Sequence, residues 1–363
     1  MNRLHILIPS VLLALLITVF IGCERPSLWV SSDEYKQVEL NVDWSLCDAE
    51  PGGMTALFFP DGGGQCQRHT TADVRHTLLG LPRGAYQGVV FSYSPEEYGR
   101  MAFTDLDNAH TASIRQLPMP EQPESDDDLY GNIAVEGFSI PTNPQTGMHQ
   151  VSCLPEPIDV DTLKNMMIIT GSDGNYVRYE DREAYSKSLK LQTYACAPEP
   201  ALWHLQIIVY ITGVNYLYNV KATVAGLADG YRLVDAEPTD KACLIATEQW
   251  EFRQLDDSTG YIATSIPTFG YPVQRNATTR DGNNPPLRLN LQIMLRDEAT
   301  VLNYHYDLGP LAITLDERQL INATIGIDAT NHPVLPYVDA KGSAGFGAEV
   351  TPWKEGDSVI IPM

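Results

Sequence analysis

The chain has 363 residues, with 46 Asp and Glu against 24 Lys and Arg and a formal net charge of -22. That length suits two domains of ordinary size. So acidic a chain is unsuited to nucleic acid and is repelled by anionic lipid surfaces; solubility outside the cell is the plain reason for such a charge.

The N-terminus opens with Arg3 and an apolar run from Ile6 to Ile21, interrupted by Pro9, Ser10 and Thr18. The run is too short and too broken for a comfortable membrane span and reads as the hydrophobic region of an export signal. Gly22 then precedes Cys23. Ile21-Gly22-Cys23 resembles a bacterial lipobox, with cleavage after Gly22 and a diacylglyceryl group on the Cys23 sulfur, although Phe20 is bulkier than the Leu usual at its position. An uncleaved signal anchor, or a secretory signal with an incidental cysteine, is the competing reading. More than one acyl chain makes membrane attachment stable, so the expectation is an exported, tethered protein with a signal peptide over 1–22 and a lipidated tether over 23–34.

Strand patterns then dominate. Val38, Leu40, Val42 and Trp44 alternate with polar residues, the period-2 pattern of a half-buried strand. "EPGG" and "MTALFFP" follow, predicting a hairpin, and "HTLLGLPRGAYQGVVFSYSP" (76–95) predicts a second, turning at Pro82-Arg83-Gly84. Residues 118–185 read as a long irregular acidic loop: "PMPEQPESDDDLY" is proline-broken and has no apolar face, with one helix candidate at 181–191. Strands return at 201–214, and "VAGLADGYRLV" echoes "LLGLPRGAYQGVV". Short strands joined by Gly, Pro, Asn and Asp turns predict an all-β fold of two β-sandwich domains in tandem, over 35–185 and 186–350, with a tail over 351–363.

Linear signatures of chemistry are missing from this text. There is no HExxH, GxSxG, phosphate loop or EF-hand spacing. "SDDD" (125–128) lacks the interleaved ligands and glycine of a calcium loop and reads as solvated. His76, His204 and His305 lie in or beside strand patterns without partners at metal-ligand spacing, so no metal or other cofactor is expected. Five cysteines follow Cys23: Cys47, Cys66, Cys153, Cys196 and Cys243. None forms a CxxC pair, an odd count leaves one unpaired, and spacing does not assign a pairing, so buried free thiols are favoured over any particular bridge.

The lipobox together with "VELNVDWSL", "GMTALFFPDGGG", "LPRGAYQGVVFSYSP", "ATVAGLADGYRL", "GYIATSIPTFG" and "GSAGFGAEVTPW" resembles the fimbrillin-like lipoproteins of Bacteroidetes, relatives of type V pilus subunits. The resemblance spans about Val38 to Trp353 and implies two transthyretin-like sandwiches, outer-membrane anchoring with surface exposure, and other fimbrillin-like subunits as partners. It further implies assembly by strand complementation, for which Val359, Ile360 and Ile361 are the candidate donor strand; closing the chain's own last sheet is the default use of these residues. Stalk subunits of this kind release their first strand by cleavage after an arginine. Between Pro26 and Gln67 there is none here, so an anchor or accessory role is expected in place of a stalk role. "DTL", "DST" and "DSV" resemble the O-glycosylation tripeptides of the same phylum, at Thr162, Ser258 and Ser358.

The resulting expectation is a non-enzymatic, lipid-anchored fimbrial anchor or accessory protein. The alternative is a surface glycan-binding lipoprotein beside a nutrient importer, which requires an aromatic platform drawn from Trp29, Trp203, Trp250 and Trp353. A hydrolase built from residues distant in sequence is the third reading, and it requires paired carboxylates in a cleft.

Overall fold

The computed structural model describes residues 35–122, 126–131, 133, 138–168, 192–247, 249–273, 287–308, 312–315, 320–326, 332–341 and 359–360. The helix candidate at 181–191, Gly22 and Cys23 lie outside them.

In the first half the strands are β1 (Tyr35–Val42), β2 (Met54–Pro60), β3 (Gln67–Thr71), β4 (His76–Pro82), β5 (Gly84–Ser92), β6 (Met101–Thr104), β7 (Ser113–Gln116), β8 (Val151–Ser152), β9 (Asp159–Ile168), β10 (Gln192–Cys196) and β11 (Glu199–Pro200). Sheet I has the order β10-β1-β4 and sheet II the order β11-β9-β5-β2-β3. Their facing sides bury Val38, Leu40, Phe58, Leu81 and Val90, which is where the alternation in β1 and β4 directs its apolar residues.

Both predicted hairpins are corrected. β1 and β2 lie in different sheets, and so do β4 and β5. Turn residues mark where a strand ends, but they do not decide whether the chain returns beside it or crosses to the facing sheet. The stretch 118–185 is likewise less irregular than expected, because β9 supplies ten of its residues to the interior of sheet II. Strand β10 follows residue 186 in the chain yet pairs in parallel with β1.

The second half contains β12 (Trp203–Thr212), β13 (Leu217–Ala228), β14 (Gly230–Arg232), β15 (Glu237–Pro238), β16 (Ala242–Thr247), β17 (Glu251–Gln254), β18 (Thr259–Thr268), β19 (Arg288–Leu295), β20 (Val301–Asp307), β21 (Ala312–Leu315), β22 (Leu320–Ile325) and β23 (Val359–Ile360). Sheet III, β21-β22-β12-β18-β17-β23, faces sheet IV, β20-β19-β13-β16-β8. Leu205, Ile207, Val209 and Ile211 of β12 interlock with Val224 of β13, Ile245 of β16 and Leu291 of β19. The architecture is therefore all-β and sandwich-like, as expected.

Sheet V, β15-β14-β7-β6, joins the two halves, since β6 and β7 come from the first and β14 and β15 from the second. It covers the outer side of sheet II through Phe91, Ile114, Leu57 and Phe269. The echo noted in the sequence has a structural counterpart: at both places the chain leaves one sheet and enters another, β4 to β5 and β13 to β14.

The acidic segment is not simply solvated. Leu129 and Ile133 are buried, and the Leu129 carbonyl accepts the Thr223 hydroxyl at 2.7 Å. Asp126 and Asp128 accept hydrogen bonds from Gln292 (3.0 Å) and Asn303 (2.5 Å). Scattered apolar anchors tie a polar run to sheet IV without creating any periodic face to read.

Candidate functional site

The first strand is the feature on which an assembly role turns. β1 is central in sheet I, with seven register pairs to β4 on one side and five to β10 on the other. Val38 and Leu40 are fully buried beneath it, and the Trp44 indole N–H donates to the Val74 carbonyl at 2.8 Å. Removing this strand exposes a row of unpaired backbone groups on both neighbours and opens the core, a large cost.

The predicted donor strand lies at the edge of sheet III. Val359 pairs with Phe252 and Ile360 with Glu251, antiparallel and within the same chain; Ile361 lies outside the described residues. The intramolecular arrangement is thus the one present, held by two register pairs.

The junction between the halves is more strongly built. Ser113, Ile114 and Arg115 of β7 pair with Arg232, Tyr231 and Gly230 of β14. Arg115 Nη1 donates to Asp229 Oδ2 at 2.7 Å, and Thr239 Oγ1 donates to Asp229 Oδ1. Gly230 is required by proximity, because a Cβ on it would sit 2.0 Å from the Ile114 carbonyl oxygen. β8 adds a short parallel pairing to β16. None of these residues carried a linear signal beyond the turn at "ADGYR", whose partner strand lies about a hundred residues upstream.

The candidate modification sites fall in different settings. Thr162 is half-buried in mid-strand, opposite Val89, whereas Ser258 is exposed in the turn between β17 and β18. Ser358 lies outside the described residues. In that turn Asp256 Oδ1 accepts the backbone N–H groups of Ser258 and Thr259 at 2.8 and 2.7 Å, and Oδ2 accepts the Thr259 hydroxyl at 2.5 Å.

The five cysteines that follow Cys23 are free. Burial, then the charge of Asp161, pushes the Cys196 thiol up to about 12, and burial followed by Asp159 does the same for Cys47. Such thiols are poor nucleophiles. Among the described residues, no three His, Cys, Asp or Glu side chains are grouped to hold a metal, and no helix is long and apolar enough to cross a membrane. Of the tryptophans proposed for a platform, Trp250 is buried, Trp203 is half-buried, and Trp29 and Trp353 lie outside the described residues.

Paired sheets, a shared bridging sheet and a central first strand define a two-layered β-sandwich protein whose distinctive features are edges and joints. The chain belongs to the DUF5119 family, described as a domain of unknown function, which it matches over residues 22–248. In fold it is similar to a candidate adhesin from Bacteroides ovatus, at 15% identity and a TM-score of 0.58, with 88% of this chain and 98% of that one covered. Weaker likenesses include the fimbrial anchor protein Mfa2 from Porphyromonas gingivalis (12% identity, TM-score 0.43, 80% and 90% covered). Another is the tip fimbrial protein Mfa3 from the same organism (12%, 0.31, 76% and 81%). No curated protein matches the chain. The likeness to the Bacteroides ovatus structure agrees in fold with the β-sandwich architecture that the resemblance read from the sequence implies.

Proposed function

We propose that this protein is a lipid-anchored, non-enzymatic anchor or accessory subunit of a cell-surface fimbria. The observation that carries the reading is the position of β1. A polymerising subunit needs a first strand that leaves, and here that strand is hydrogen-bonded on both sides and backed by buried Val38 and Leu40. With Arg25 the last arginine before Arg68, cleavage near the N-terminus detaches the lipid but leaves β1 in place. The fold shared with the Bacteroides ovatus candidate adhesin supports the same direction.

Assembly in this proposal uses the edge of sheet III. β17 holds β23 by only two register pairs, so an extended segment of a neighbouring subunit competes for that edge at low cost, or β23 itself leaves to join the neighbour. Cys23 supplies the membrane attachment, and the fimbrillin-like resemblance is what supports an outer-membrane position with the body facing outwards.

The test is extraction of the full chain from membranes under non-denaturing conditions. The expected result is co-purification of fimbrillin-like subunits, lost when the residues after Asp357 are deleted, and release of the Cys23→Ser variant into the soluble fraction. A lone monomer, or company consisting of an importer, overturns the fimbrial reading. Membrane retention of Cys23→Ser overturns the lipid anchor.

A further inference from the structure

Where β9, the β10–β12 connection and sheet V meet, the two halves enclose an open cleft of about 610 Å³. That size lies within the range of ordinary ligand sites, about 300–1,000 Å³. Its walls bring together three half-buried aromatic rings, Trp203, Tyr231 and Tyr271, with the carboxylates of Asp161 and Glu199 and the hydroxyl of Thr162. These six residues span more than a hundred positions of sequence and meet only because the two halves are joined.

Two of the rings have identified neighbours. Trp203 runs alongside Gly270, where a Cβ would stand 3.6 Å from the indole Cδ1. Tyr231 packs on Phe269 with centroids 5.9 Å apart and planes at 30°. Asp161 is also preset: Oδ1 accepts the Thr162 N–H at 2.6 Å and Oδ2 the Ala197 N–H at 2.8 Å, leaving a further lone pair on each oxygen. The backbone of Glu199 is held opposite Val160 of β9, and the residue is exposed. Burial, followed by the charges of Glu199, Glu237 and Asp161, pushes the Tyr231 phenol up to about 12, so it keeps its proton and remains a donor.

We propose that this cleft is a binding site for a neutral saccharide. Aromatic faces suit the C–H faces of pyranose rings, and the carboxylates accept sugar hydroxyls while Tyr231 and Thr162 donate to ring and hydroxyl oxygens. No lysine or arginine lines the cleft, and the chain's charge of -22 opposes sulfated or uronic sugars. A lysine-rich peptide meets the same carboxylates and rings, and its carbonyls accept from the same donors; a polyol differs in carrying donor and acceptor on every hydroxyl, and oligolysine is therefore a control below. The site stands apart from the sheet III edge and does not depend on the fimbrial assignment, which is tested on membrane extracts.

The experiment presents the full chain in detergent to a panel of neutral oligosaccharides, with sialylated and sulfated glycans and an oligolysine peptide as controls, followed by calorimetric titration. The expected result is binding confined to neutral members. Because Gln keeps the carbonyl acceptor and loses the charge, which makes a hydrogen bond roughly twice as strong, Glu199→Gln lowers affinity roughly three- to tenfold while its melting temperature stays unchanged. Trp203→Ala abolishes binding, and Tyr218→Ala, at an exposed ring outside the cleft, leaves it intact. If Trp203→Ala fails to fold, Glu199→Gln decides alone. Absence of binding across the neutral panel, preference for anionic glycans or oligolysine, or full affinity in Glu199→Gln overturns the proposal.

Discussion

Replacing Gly230 by alanine puts a specific load on the junction. The added Cβ falls 2.0 Å from the Ile114 carbonyl oxygen, 3.0 Å from its carbonyl carbon and 3.1 Å from Arg115 Cα. Carbon and oxygen settle at about 3.3 Å in sheet contacts, so β14 must withdraw from β7 by more than about 1 Å. β7 cannot yield instead, because Ile114 is fully buried against the outer side of sheet II. The displacement breaks the Gly230–Arg115 and Tyr231–Ile114 pairings and strains the 2.9 Å bonds from Gln116 N to Asp229 O and from Thr239 N to Gly230 O. Two broken pairings at about 1 kcal/mol each give about 2 kcal/mol, or a fall in Tm of roughly 4–8 °C for a half of roughly 150 residues melting as a unit. Differential scanning calorimetry measures it, with Gly99→Ala as the control because nothing lies within 4 Å of a Cβ there. A loosened junction should also broaden or split the transition, as each sheet pair retains its own core. A Gly230→Ala protein that melts within about 1 °C of the parent in a single transition refutes the claim that sheet V couples the halves.

Leu40→Ala removes a fully buried side chain from the central strand of sheet I and should cost about 2–5 kcal/mol; chemical denaturation monitored by the adjacent Trp44 gives the value. The Asp256 carboxyl should titrate near 2 by NMR, held low first by the Thr259 hydroxyl and then by the Ser258 and Thr259 amides. Because its folded pKa lies below the unfolded value of 3.8, its contribution is present above that pH and is lost as pH falls towards about 2; Asp256→Asn removes that acid-limb dependence. Iodoacetamide at pH 8 should leave Cys47, Cys66, Cys196 and Cys243 unmodified in the folded chain, since burial is the first cause raising every one of these thiols; mass spectrometry before and after denaturation checks this.

The parts of the fold legible in the sequence are those that depend on a short window. The alternation in Tyr35–Val42 and in Trp203–Thr212 gives strand, face and burial together, because a period-2 pattern has one answer when one side is wet. Pairing was not legible. "LPRGAY" reads as a hairpin because Pro and Gly favour a turn, yet Leu81 faces one core from sheet I while Val89 lies in another beyond sheet II. β9 was hidden for a related reason: "DVDTLKNMMI" mixes charged and apolar residues, and its burial follows a bulge, where the register with β5 shifts between Tyr86 and Gly88.

The same distinction explains why the two functional readings have such different standing in the sequence. An assembly strand is a local object, so the lipobox, the unbroken first strand and the apolar Val359–Ile361 are visible as text. A cleft is a product of tertiary joining: Asp161, Trp203 and Tyr231 are unremarkable residues of three strands until β7 and β14 pair and bring β9 beside sheet V. If the junction holds the cleft open, Gly230→Ala must lower both stability and saccharide affinity, whereas Glu199→Gln lowers affinity alone. Measuring both variants in one titration series separates a site built by the junction from one that merely lies near it.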